Sequence, residues 1–172
     1  MNIIKTEIEH ALDDILSGKE ERVRSRDEFL SENIFVCQIT LNIPGYPKRL
    51  TNDEKAVEKF SRAFIEQWDS PPLFEKEMAN AAGVCWLGFF AGGISAAKKA
   101  KRIAVNIEEG TPEGRISDID VIVPERTLSR SDLGLPQRRC LLCDRPAKEC
   151  ARDRSHSYNH LRYEFEKLIK KF

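Results

Sequence analysis

The 172-residue sequence has no net charge, with 28 lysines and arginines against 28 aspartates and glutamates. That balance removes the overall basic field expected of a sequence-independent nucleic-acid binder, so any polyanion site has to be local. A membrane span is missing too. The uncharged stretch 80–97 carries Gly83, Gly88, Gly92 and Gly93 with Asn80 and Ser95, which suits a buried strand and turn better than a spanning helix. The first residues, Met1-Asn2-Ile3-Ile4-Lys5-Thr6-Glu7, meet charge before they build the apolar segment of a secretory signal, so the chain is expected to be cytoplasmic and to keep its N-terminus. Cysteine is scarce, with five in all, an odd number. Without a signal, that count favours a reducing compartment and metal-binding or packed thiols over a disulfide framework. There is no internal repeat, low-complexity segment or linker.

What is present suits one domain over residues 1–172. Hydrophobic residues make up 41% and charged ones 33%, and a chain of this size buries roughly 70% of its unfolded surface. The first thirty residues read as helix, with Ile8, Leu12 and Ile15 on one face, Gly18 as a break, and a charged second part carrying Val23, Phe29 and Leu30. Residues 34–43 alternate as a strand, with Phe35, Cys37, Ile39, Leu41 and Ile43 on one face, until Pro44-Gly45-Tyr46-Pro47 ends it. A helix is predicted over 52–68, started by a Thr51/Glu54 capping box and placing Val57, Phe60, Phe64 and Trp68 in the core. A strand over 84–91, a short helix over 95–101, and strands over 103–108 and 116–123 joined by a polar loop follow. An irregular stretch then leads to Pro146, and a closing amphipathic helix from Ala147 carries Leu161, Phe165, Leu168 and Ile169. The predicted class is α+β: a mixed, mostly antiparallel sheet with flanking helices, nucleotidyltransferase-like in one form.

The strand 116–123 is the most informative. Alternation puts Asp118 and Asp120 on one face and Ile119, Val121 and Val123 in the core. Two carboxylates fixed about 7 Å apart at their backbones repel, and a divalent cation relieves them; hard oxygen ligands of this kind suit magnesium, which keeps its other positions for water and phosphate. Glu108 offers a third carboxylate, and Arg115, in the glycine-bearing loop before the strand, a cation beside it. The bland alternative is a solvated strand face. Together these residues read as metal-assisted chemistry on a phosphate ester.

Cys140 and Cys143 have the two-residue gap that turns both sulfurs toward one zinc ion, and Cys150 with His156 completes four ligands. Packed thiols fit the same residues. Arg138, Arg139, Arg145, Arg152 and Arg154 share the segment, and their planar forks match phosphate oxygens.

Gly-Arg-x-x-Asp-Ile-Asp-Val at 114–121, Leu128-Ser129-Arg130, Leu135-Pro136, Arg138-Arg139-Cys140-Leu141-Leu142-Cys143, Ala147-Lys148-Glu149-Cys150-Ala151-Arg152 and His156 together resemble the apo-citrate lyase phosphoribosyl-dephospho-CoA transferase (holo-citrate lyase synthase) family. The ordered match is dense over about 45 residues and extends more weakly upstream. Ser117 stands where family members carry a bulky aromatic. The resemblance implies transfer of the 2'-(5''-phosphoribosyl)-3'-dephospho-CoA group from triphosphoribosyl-dephospho-CoA to a serine of the citrate lyase acyl carrier subunit, with release of diphosphate. It implies catalytic roles for Asp118, Asp120, Arg115 and Glu108, magnesium on the two aspartates, and phosphate binding by Arg138, Arg139 and Arg152. Neither nucleic acid nor membrane is expected as a partner. Two other readings of the residues are another metal-dependent nucleotidyltransferase and a zinc-stabilised binding module without catalysis.

Overall fold

The computed structural model describes residues 2–172, with side chains from residue 9 onward. Its elements are α1 (Asn2–Asp27), β1 (Ile34–Leu41), α2 (Asp53–Trp68), β2 (Phe74–Asn80), β3 (Gly83–Ala91), α3 (Ile94–Gly110), β4 (Ser117–Val123), β5 (Arg126–Leu128), α4 (Ala147–Arg152) and α5 (Tyr158–Ile169). The five strands form one sheet in the order β2-β3-β1-β4-β5, antiparallel at every pairing. From β1 to β4 the chain runs β-α-β-β-α-β with the first strand between the third and the fourth. That is the split βαβ, ferredoxin-like arrangement within an α+β fold.

Alternation along β1 and β4 divides the sheet into two faces. Phe35, Cys37 and Ile39 of β1, Trp86 and Phe90 of β3, and Ile119, Val121 and Val123 of β4 meet Phe60 and Phe64 of α2, Ala97, Ala100 and Ala104 of α3, and Phe165 and Ile169 of α5. This is the main core. The opposite face holds a smaller cluster of Val36, Met78, Cys85, Leu87, Phe89 and Ile122, closed by Phe29, whose ring stands edge-on to Phe74 and Phe89 at 4.5 and 5.6 Å. Asp118 and Asp120 share that second face, opposite Thr40 and Gln38.

Several elements differ from the sequence reading. Gly18 does not break α1, which runs on to Asp27. A Cβ at Gly18 would lie 2.5 Å from Asn80 Oδ1 and 3.1 Å from the Ala82 side chain, so glycine there permits close approach of α1 to the β2–β3 turn. Ile8, expected on the apolar face of that helix, has its side chain outside the described residues; Ile15 is buried while Leu12 is exposed. At the start of α2, Asn52 is left-handed and there is no Thr51/Glu54 capping box. Asp53 does the work, accepting from the backbone N–H of Leu50 at 3.0 Å and of Glu54 at 2.8 Å. β2 has no alternating pattern in the sequence because Glu75, Lys76 and Glu77 are exposed on both of its faces, the charged pattern of an edge strand.

The expected strand 103–108 is the second half of α3. Ile103, Val105 and Ile107 alternate and imitate a strand, but all three are buried together with Ala97, Ala100, Lys101, Ala104 and Glu108, a broad stripe of helical spacing. The short helix expected over 95–101 is its first half. The closing helix is two, α4 and α5, the latter capped by Ser157 Oγ, which accepts from His160 N–H at 3.3 Å. Among the described residues no helix is long and apolar enough to cross a membrane.

Candidate functional site

The site begins at an edge of the sheet. β5 pairs only with Val121–Val123, which leaves the outward backbone groups of Ile119 without a strand partner, and buried N–H and C=O groups need one. Helix α3 supplies both. Lys101 Nζ donates to the Ile119 carbonyl at 2.8 Å, and Glu108 accepts from the Ile119 N–H at 3.0 Å. Gly114 lets the turn before β4 close against the end of α3, since a Cβ there would come within 2.0 Å of the Ile107 carbonyl. Ser117, fully buried, donates its hydroxyl to the Gly114 carbonyl at 2.7 Å. The backbone of the strand carrying the two aspartates is therefore held in place on its outer edge.

Glu108 lines the same hollow as Asp118 and Asp120, and it lies on a helix rather than on the expected strand. Both of its oxygens are engaged: beyond the Ile119 N–H, they pair with Arg130 at 2.5 Å and Arg138 at 3.3 Å. Arg138 also reaches Asp118 at 3.4 Å and donates to the carbonyls of Arg115 and Ser117 at 2.6 and 2.7 Å. Lys101 stands 4.0 Å from Asp120. The aspartate carboxylates are open at their tips but set in a concave, polar surface. Burial raises the Asp118 pKa against the pull of Arg138, and burial followed by repulsion from Asp118 raises that of Asp120. At both carboxylates burial outweighs the pull of the neighbouring cations.

A cavity of about 500 Å³ opens over this pair, and Lys101, Arg130, Arg138 and Lys148 surround the two carboxylates in its wall. A second, of about 300 Å³, lies on the other side of Arg130 and Arg138 and adds Arg115 and Arg139. A third, of about 280 Å³, is bordered by Arg115, Arg138 and Arg139 and backed by Leu161 and Phe165. Arg138 belongs to all three. Two carboxylates facing several cations around a shared hollow can bind a polyphosphate through a bridging cation and through direct charge-assisted hydrogen bonds.

Of the residues predicted for the site, Asp118, Asp120, Glu108 and Arg138 come together. Arg115 and Arg139 line the adjoining hollows, with Arg115 donating to the Cys140 carbonyl. Arg152 is not brought in: it is exposed on α4 and pairs with Asp153 at 3.2 Å. Lys101, Arg130 and Lys148 were not anticipated as site residues. A lysine inside the alanine stripe of α3 was a signal for the first, whereas Arg130 is placed by a chain reversal that local pattern does not show.

The thiol segment forms its own cluster. One donor atom from each of Cys140, Cys143, Cys150 and His156 lies within 4.8 Å of the others, an arrangement that could hold a metal ion. Cys143 Sγ is 3.5 Å from Cys150 Sγ and 3.3 Å from His156 Nε2. The Arg145 backbone N–H and the His156 imidazole bring the Cys143 pKa down to about 7, while burial and the neighbouring thiols push Cys150 up to about 11. No comparable trio of carboxylates converges among the described residues.

Comparison with known proteins adds an independent line. The sequence profile of the family described as apo-citrate lyase phosphoribosyl-dephospho-CoA transferase matches residues 10–172. A protein of Citrobacter koseri with that name is 43% identical over 161 residues, covering 92% of this chain and 88% of its own. One from Vibrio cholerae serotype O1, strain M66-2, named as a probable member, is 33% identical over 168 residues, covering 92% and 90%.

Proposed function

The chain belongs to the apo-citrate lyase phosphoribosyl-dephospho-CoA transferase family, and from that premise we propose that it moves the 2'-(5''-phosphoribosyl)-3'-dephospho-CoA group from triphosphoribosyl-dephospho-CoA to a serine of the citrate lyase acyl carrier subunit, in the cytoplasm. The observation that carries this reading is the cavity in which Asp118 and Asp120 face Lys101, Arg130, Arg138 and Lys148. A triphosphate end is the part of such a precursor that needs cations and a carboxylate-held metal together.

In the proposed reaction the serine oxygen forms a bond to the phosphorus nearest the ribose. The bond from that phosphorus to the bridging oxygen breaks, and diphosphate leaves with the electron pair. Arg138 and Arg130 offset charge on the transferred phosphate and the departing diphosphate, with Arg115 and Arg139 along the adjoining hollow. The serine proton passes to a carboxylate of the site; Glu108, with both oxygens occupied, is better suited to orienting the two arginines, which leaves the aspartates. Asp118 and Asp120 fit magnesium, because they stand on one face of β4 in the wall of one hollow and their donors are hard oxygens. Magnesium there would neutralise polyphosphate charge. Three thiols and an imidazole are a softer set that suits structural zinc.

Incubating the protein with magnesium, the precursor and apo carrier should raise the carrier mass by one prosthetic group. An unchanged carrier mass with validated substrates would overturn the assignment. Diphosphate release from an ordinary nucleoside triphosphate instead would mark a different nucleotidyltransferase.

A further inference from the structure

Residues 138–147 form a knuckle. Its backbone closes through Cys140 N–H to the Arg145 carbonyl and Ala147 N–H to the Arg138 carbonyl, both at 2.8 Å, and Arg139 bridges Pro146. Cys140 is the sole buried residue in that span, and Leu141 packs part-buried against the main core. A segment with two apolar anchors at one place is held to one shape by a cross-link at its other end. The thiol cluster lies where the cross-link is needed: two ligands come from the knuckle, and Cys150 and His156 from α4 and the turn after it. In tetrahedral zinc coordination neighbouring sulfurs sit about 3.8 Å apart and a sulfur and an imidazole nitrogen about 3.6 Å. The observed 3.5 and 3.3 Å are slightly shorter and no other separation exceeds 4.8 Å, so small side-chain shifts complete the site.

The knuckle is also fastened to the acidic strand. Arg115 donates to the carbonyl of the ligand Cys140, and Arg138, at the base of the knuckle, donates to the carbonyls of Arg115 and Ser117 at 2.6 and 2.7 Å. The other end of the same guanidinium makes only long contacts, 3.3 Å to Glu108 and 3.4 Å to Asp118, and it borders all three hollows. An arginine with one end committed to backbone and the other loosely held suits a phosphate that arrives later.

Resting on the zinc and transferase readings of these two sites, we propose that zinc on Cys140, Cys143, Cys150 and His156 is a positioning device for the anion grip: it fixes the knuckle, and the knuckle aims Arg138 at the diphosphate end of the substrate. Zinc takes no part in the chemistry. Its removal disorganises Arg138 and leaves the sheet intact.

The test uses the full chain purified without chelator, with inorganic diphosphate and magnesium as the probe. Metal analysis should find one zinc per chain. Stripping zinc should weaken diphosphate binding in calorimetry about tenfold, the scale of losing one charge-assisted contact, and restoring zinc should recover it. In Arg138→Met protein, stripping should cost clearly less than in wild type, about threefold, because only Arg139 and Lys148 remain for zinc to position. Backbone amides of Phe35 and Trp86 should stay protected from hydrogen exchange throughout. A zinc-free chain overturns the zinc reading and this proposal with it. Unchanged wild-type affinity, an equal loss in Arg138→Met, or loss of core protection each overturns the coupling. Failure of the transferase reading is seen separately, in the carrier mass.

Discussion

Replacing Asp120 with asparagine should make the protein more stable and catalytically dead, and the two effects have one cause. Asp118 and Asp120 lie on the same face of β4, about 7 Å apart at their backbones by strand geometry. Two unit charges at that distance repel by about 2 kcal/mol at an effective dielectric of 20. Both carboxylates are partly open to water, with side-chain exposures of 49% and 38%, so screening brings this to about 1 kcal/mol or less. Loss of the 4.0 Å approach to Lys101 takes back part of the gain, although Lys101 keeps its bond to the Ile119 carbonyl. The net expectation is stabilisation of zero to about 1 kcal/mol, or roughly 0–4 °C in Tm for a chain of this size. The sign with pH follows from the raised pKa values. Each aspartate binds its proton more tightly in the folded state, so stability falls as pH rises from the usual carboxylate range through the folded pKa. The advantage of Asp120→Asn should therefore be present at pH 7.5 and vanish in acid. Thermal unfolding by circular dichroism at the two pH values, beside the carrier mass assay at pH 7.5, measures both halves. A variant destabilised by 2 kcal/mol or more that still transfers the group would show the pair to be structural, and the metal-platform reasoning would fail.

Glu108→Gln should cost about 3 kcal/mol in denaturant unfolding, because it removes a buried charge from between Arg130 and Arg138; a loss below 1 kcal/mol would mean that the arginines re-pair elsewhere. Gly114→Ala should destabilise by about 3 kcal/mol, since the new methyl meets a backbone carbonyl and the turn must open, and urea midpoints compared with wild type will show it. Arg152→Ala should keep transfer within about twofold of wild type, whereas Arg138→Ala should reduce it at least tenfold; equal losses in steady-state turnover would contradict the placement of the anion grip.

The sheet was legible wherever burial follows a period of two: β1, β3 and β4 fall within a residue or two of the strands read from the sequence, and the division of β4 between acidic and aliphatic faces is as its alternation implies. The errors lie where two periods coincide or where the partner is distant. Ile103, Val105 and Ile107 fit a strand locally, and only the alanine stripe upstream and the buried Lys101 and Glu108 select helix. Gly18 looked like a break because nothing nearby in sequence shows that Asn80 comes to rest on it. The thiol cluster was readable because ligand spacing is a local property, while the pairing of Arg130 with Glu108, 22 residues apart, depends on the route of the chain.

The attachment of Ile119 to Lys101 and Glu108 also constrains how this protein can change over evolutionary time. Both side chains read the backbone of residue 119, not its side chain, so they would hold whichever residue occupied that position. A single-residue insertion or deletion in the connection 111–116 would slide β4 by one place and turn Asp118 and Asp120 toward the core while exposing its aliphatic residues. Substitutions that spare Gly114, Arg115 and the buried Ile116 can accumulate in that connection; its length cannot drift by one.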